Sequence, residues 1–133
     1  MDYPTAASGT TEETMPNYVA FLRGTKDAQT HLGPNEAQQV LERYLAWSAT
    51  LADAGILQTG GALSASKGRV LRTVEGALSS TDGPHTEATE IVGRYIVITA
   101  DDLDHAERVF SDHPHLAFGS IELRKVGENG CEP

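Results

Sequence analysis

Thr81-Asp82-Gly83-Pro84-His85-Thr86-Glu87 turns the chain into Glu90-Ile91-Val92-Gly93-Arg94-Tyr95-Ile96-Val97-Ile98-Thr99, the longest strand signal in the sequence. Gly-Pro interrupts any regular element, whereas β-branched and aromatic residues fill the second stretch. The segments on either side of this junction decide the fold. Downstream, Asp101 suits an N-cap, and Asp102 and Asp104 suit the positive end of a helix. Leu103, Ala106, Val109 and Phe110 then give that helix an apolar face, and His113-Pro114 ends it. Ser120-Ile121-Glu122-Leu123-Arg124-Lys125-Val126 reads as a last strand, with Ile121 and Leu123 on one side.

Upstream, Asn17-Tyr18-Val19-Ala20-Phe21-Leu22-Arg23-Gly24 is a compact apolar run, expected as a central strand buried on both sides. Gly33-Pro34-Asn35-Glu36 opens a helix with Pro near N1 and an acidic first turn. Val40, Leu41, Tyr44, Leu45, Ser48, Leu51 and Ala52 share one face at helical spacing, Trp47 borders it, and Gly55 suits the C′ position. An extended piece from Ile56 to Leu63 follows, broken by Gly60-Gly61. Arg69 to Val74, the turn at Glu75-Gly76, and Ala77 to Ser80 predict a small hairpin, after which Asp82-Gly83-Pro84 turns the chain. The order is the βαββαβ ferredoxin-like α+β pattern with an extra hairpin. Its helices lie on one face of the sheet. A chain of 133 residues has little left to cover the other face, so a homodimer with two sheets face to face is expected.

Hydrophobic residues are 39% of the chain, a little under the globular norm, and the shortfall sits at the two ends. Residues 1–15 and 127–133 read as disordered tails around one domain at 16–126. The net charge is −9 with only 10 Lys+Arg, scattered singly, which argues against nucleic acid and anionic membranes as partners. No apolar run nears the ~20 residues of a spanning helix, and the N-terminus lacks a signal-peptide pattern. Cys131 is the single cysteine, so an internal disulfide is excluded and a cytoplasmic location is the simplest expectation.

An ordered set of short pieces resembles the YCII-related, or DGPF-type, family. The pieces are Ala54-Gly55-Ile56-Leu57, Gly60-Gly61-Ala62-Leu63, Val70-Leu71-Arg72, Thr81-Asp82-Gly83-Pro84, Glu87, Glu90, Gly93, Asp101-Asp102-Leu103-Asp104 with Ala106, His113-Pro114, and Gly119-Ser120-Ile121-Glu122-Leu123-Arg124. The resemblance covers about residues 16–126. It implies a ferredoxin-like dimeric α+β barrel in a bacterial protein of a mostly uncharacterised family. Some members accompany or are fused to sigma factors. A few resemble enzymes acting on small aromatic or chlorinated compounds, with a His and Asp pair proposed as their site. Two departures stand out: His85 replaces the usual Phe, and Thr89 a common Lys. By its spacing to Gly55, the helical His of the enzyme-like relatives falls on Tyr44, so that pair is not intact here.

Candidate site residues follow from chemistry. Asp82 is either the head of an Asx-turn or a pocket acid or base. His85, three residues on, either decorates a surface turn or is oriented by Asp82 as a general base. Arg72 either points outward or pairs with Asp82, Glu87 or Glu90 to hold an anionic ligand. Tyr44 packs in the core or lines a pocket, Glu87 is a further ligand-binding candidate, and Trp47 is expected to pack. His113-Pro114-His115 has a His-x-His spacing, but a closed metal site needs about four ligands and no supporting set is evident. His31 and His105 are expected to face solvent. No GxxxxGK[ST], GxGxxG, HExxH or GxSxG pattern occurs, and no cofactor or metal is expected. Two functions remain open: a homodimer binding a small polar or aromatic molecule in a cleft, with acid–base catalysis in reach, or a non-catalytic regulatory module, for example one serving a sigma factor.

Overall fold

A computed structural model of the chain describes residues 15–25, 27–83, 90–128 and 130–133. His85 and Glu87 lie outside the described residues. The elements run β1 (Asn17–Gly24), α1 (Pro34–Asp53), β2 (Leu57–Ala62), β3 (Gly68–Val74), β4 (Ala77–Gly83), β5 (Ile91–Thr99), α2 (Leu103–Phe110), a 3₁₀ turn (Pro114–Ala117) and β6 (Ser120–Lys125). Four strands form one antiparallel sheet in the order β2-β5-β1-β6, and β3 and β4 form a separate hairpin. This is a mixed α+β architecture compatible with the ferredoxin-like pattern.

Period-2 alternation sets the two faces of the sheet. Tyr18, Ala20 and Leu22 of β1 and Ile96 and Ile98 of β5 are buried with Val40, Tyr44 and Leu51 of α1 and Ala106 and Phe110 of α2. On the opposite face, Val19 pairs with Val97 and Phe21 with Tyr95. These four are only half-buried, and none joins the core cluster. β1 is therefore buried on one side rather than both. Gly61, opposite Tyr95, lets the phenol ring lie against bare backbone, where a Cβ would come within 3.2 Å of it.

Local signals explain the boundaries. Pro34 occupies the first turn of α1, and Glu36 reaches back to accept the Gly33 N–H at 2.9 Å. At the other end Gly55 takes φ 77°. Its N–H bonds the Ala52 carbonyl and that of Ile56 bonds Leu51, a Schellman closure. α1 buries a narrower stripe than its apolar residues suggest, because Leu41 and Leu45 are exposed. The N-cap of α2 is Asp102, whose carboxylate accepts the His105 N–H at 2.8 Å, and not Asp101. The Asp101 N–H instead bonds His105 Nδ1 at 2.9 Å, so His105 is half-buried rather than facing solvent.

The hairpin turn has positive φ at both Glu75 and Gly76, which matches the right-handed twist of the flanking strands. β4 runs on to Gly83, opposite Gly68. Asp82 thus sits in a strand, across from Arg69, and not at a turn; cross-strand pairing continues past the expected end of the strand. Leu71 and Leu78 lie on one face of this hairpin, 61% and 73% exposed, where they meet no core of their own chain.

Candidate functional site

A cavity of about 380 Å³ opens between the first turns of α1, the β1–α1 loop and the adjoining ends of β1 and β5. Leu22, Val40, Leu41 and Ile91 supply apolar wall, and Gln29, Tyr44, Arg94 and His115 supply polar groups. That size falls at the lower end of the roughly 300–1,000 Å³ typical of small-molecule sites, and the mix of apolar wall with few convergent polar groups is their usual composition.

The polar groups form a directed chain. His115 Nε2 lies 2.7 Å from the backbone carbonyl of Arg23, which can only accept, so Nε2 carries the hydrogen. In the neutral ring Nδ1 is then the acceptor, and the Tyr44 hydroxyl donates to it at 2.7 Å. Gln29 Nε2 donates to the same hydroxyl oxygen at 3.4 Å. The order is thus Gln29 to Tyr44 to His115 to the β1 backbone. Burial pushes the Tyr44 phenol above its ordinary range, only partly offset by the Gln29 hydrogen bond and the Arg94 charge.

The fold fixes both ring residues. Tyr44 is held by the buried stripe of α1. His115 sits in the 3₁₀ turn, whose N-cap is His113: Nδ1 of His113 accepts the His115 N–H at 2.9 Å. His113 is itself buried among aromatic rings, with centroids 4.4 Å from Trp47, 5.2 Å from Tyr44 and 6.1 Å from Phe110. Its Nε2 has no hydrogen-bond partner among the described residues. Burial, with the nearby Arg94 charge, lowers its pKa to about 4, so the ring stays neutral and keeps its acceptor. Trp47 packs as expected, tilted on Phe110 at 5.0 Å with its indole N–H on Asp112 at 3.0 Å.

Gly119 completes the arrangement. A side chain there would collide with the Arg23 carbonyl and come within 2.9 Å of His115 Nε2, so only glycine leaves room for that hydrogen bond.

Of the candidate acid–base and ligand-binding residues that fall among the described residues (Tyr44, Arg72 and Asp82), Tyr44 lines this cavity. Arg72 is exposed on β3 opposite Ser79, and Asp82 is exposed on β4 opposite Arg69. By that register the two side chains occupy opposite faces of the hairpin. Asp82 borders a second, open depression with Lys67 and Arg69. Glu90 pairs with Arg23 at 3.6 Å rather than with Arg72. His115, noted only for its His-x-His spacing, and Arg94 are the functional groups that sequence reasoning passed over. Arg94 had a readable signal: it shares period-2 alternation with Ile96 and Ile98, which places a cation on the buried face. Among the described residues no group of three or more His, Cys, Asp or Glu side chains converges as metal ligands would. No helix there is long and apolar enough to cross a membrane.

The chain belongs to the YCII-related domain family, whose family model matches residues 17–129. No match was found among the curated proteins. The matched segment takes in every element from β1 to β6, including the cavity and both residues of the Tyr44–His115 pair.

Proposed function

We propose that this YCII-related protein is a cytoplasmic homodimer that binds a small polar or aromatic molecule in the cavity beneath α1, with acid–base chemistry available at the Tyr44 hydroxyl. The observation that carries the reading is the 2.7 Å bond from Tyr44 to His115 at the wall of a largely apolar cavity. A ligand proton passing to the Tyr44 oxygen is matched by the phenolic proton passing to His115 Nδ1. The imidazolium that results keeps both N–H groups bonded, one to the Tyr44 oxygen and one to the Arg23 carbonyl. Tyr44 occupies the helical position expected of the enzyme-like relatives' His, and His115 supplies an imidazole from the other side. The half-buried apolar face of Val19, Phe21, Tyr95 and Val97 supports the dimer, since such a face is stable when a second layer covers it. A lone exposed thiol at Cys131 suits a reducing compartment.

The test is a screen of small polar aromatic fragments by NMR. Fragments that bind should shift the amide signals of Gln29, Ile91, Gly93 and Arg94 together. Tyr44→Phe, which keeps the ring and removes the hydroxyl, should weaken them by about three- to tenfold, the worth of one hydrogen bond. A library in which nothing perturbs those amides at millimolar concentration refutes the ligand site.

A second reading is favoured by the hairpin. The exposure of Leu71 and Leu78 on one face also suits a non-catalytic module that docks on a regulator such as a sigma factor. In that case Leu71→Ser with Leu78→Ser abolishes recovery of a sigma factor with the native protein, whereas Tyr44→Phe leaves it unchanged.

A further inference from the structure

Among the described residues that line the cavity, one carries a fixed charge. Arg94 stands on the core-facing side of β5, opposite Leu22 and in phase with Ile96 and Ile98. The β1–β5 register shifts beside it, pairing Leu22 with Arg94 and Arg23 with Val92 and leaving Gly93 unpaired as a bulge residue. The guanidinium carbon lies 5.5 Å from the centroid of the Tyr44 ring, a cation–π contact that directs it toward the cavity beside the hydroxyl. Among the described residues, that ring is its one polar partner. No Asp or Glu among the described residues lines the cavity wall. The neighbouring arginine differs. Arg23 contacts Glu90 at 3.6 Å and Glu122 at 3.4 Å at the end of the sheet, so its charge is already answered.

A half-buried guanidinium with five donors, in a chain of net charge −9, is an unusual thing to leave without a carboxylate among the described residues. A bound anion resolves it. We infer that the ligand is a small organic carboxylate, its carboxylate on Arg94 and its apolar body against Leu22, Val40, Leu41 and Ile91. This rests on the cavity being the ligand site, and adds the chemical class of what it holds. Carboxylate is favoured over phosphate because the planar fork of Arg94 is the one fixed cation among the described lining residues, a match to one carboxylate rather than to a dianion. The acidic protein repels anions at long range, so recognition is local and requires the forked contact. A ligand anchored in this way also presents its adjoining carbon or hydroxyl to Tyr44, whose ring Arg94 already touches.

The experiment pairs each acid with its neutral isostere: benzoate with benzamide, and hexanoate with hexanamide. Affinities come from NMR titration of the full chain, following the cavity amides. The acids should bind at least about tenfold more tightly than the amides, as one charge-assisted contact implies. Arg94→Gln should erase that preference while leaving amide binding within about twofold, and Arg94→Lys should restore part of it. Added salt should weaken the acids alone. Inorganic phosphate competing more strongly than benzoate overturns the carboxylate assignment. Equal binding of acids and amides at the cavity overturns the charge reading and leaves the ligand site standing. No perturbation of the cavity by either member of any pair overturns both. Amide binding that survives in Arg94→Gln also shows that the variant has folded.

Discussion

His113 is where one residue's chemistry governs the site. Its folded-state pKa near 4 lies below the ordinary 6.5, so the unfolded chain takes up the proton more readily. The stability it lends is complete above about pH 6.5 and drains away as pH falls toward 4, by up to ~3 kcal/mol. Protonation also removes the acceptor that caps the 3₁₀ turn and holds His115. His113→Asn keeps a side-chain oxygen suited to capping but does not titrate. Urea unfolding at a series of pH values should therefore show a shallower loss below pH 6.5 in the variant than in the parent. Superimposable profiles would assign the acid sensitivity to other groups. At this scale the sequence was partly legible. Tyr44 was found because helical spacing placed it on the buried face. His115 was not, because its function depends on a backbone carbonyl 92 positions away, a contact invisible to any local pattern. Arg94 was hidden by its setting: a charged residue inside an apolar run reads as an interruption until the faces of the strand are assigned.

Among the elements, the short 3₁₀ turn matters most, since it joins the cap, the imidazole and the start of β6. Gly119 is its tightest point. Gly119→Ala should destabilise the fold by about 1–3 kcal/mol, the range of an overpacked site, and a chemical denaturation curve reads this directly. It should also displace His115 from Arg23, visible as a shift of the His115 ring signals. A variant as stable as the parent, with unmoved ring signals, would show that the backbone gives way at no cost. The helices and their ends were largely readable, because Pro34, Glu36 and Gly55 act within a few residues of themselves. Errors fell where a long-range partner decides. Asp82 looks like a turn residue, but cross-strand pairing with β3 draws it into β4. The cap of α2 is a local exception: Asp101 and Asp102 are both capable, and the His105 N–H, three residues on, selects the second.

At the scale of the whole molecule, the open sheet face and the Leu71–Leu78 side of the hairpin are apolar surfaces that the described residues leave uncovered. If copies pair through them, light scattering should give twice the chain mass at micromolar concentration. Leu71→Ser with Leu78→Ser should shift the protein toward monomer without unfolding it, as the hairpin contributes nothing to the core. A parent protein that runs as monomer throughout would end the homodimer proposal. The order of elements along the chain was legible, and the observed sheet is compatible with the ferredoxin-like pattern it implies. That one sheet face lacks helices also followed, and a cleft between the sheet and α1 was expected, but the His115 and Arg94 groups that line it were not. The same topology has a consequence for anything tethered to this domain. The chain enters β1 beside the point where it leaves β6, the Val126 N–H bonding the Asn17 carbonyl at 2.9 Å. The cavity lies at the far end of β1, around Leu22, Gly24 and Thr25. A neighbouring module spliced on at either side would thus hang from the base of the sheet, leaving the mouth open to diffusing solutes, and the domain can be carried as cargo without being blocked.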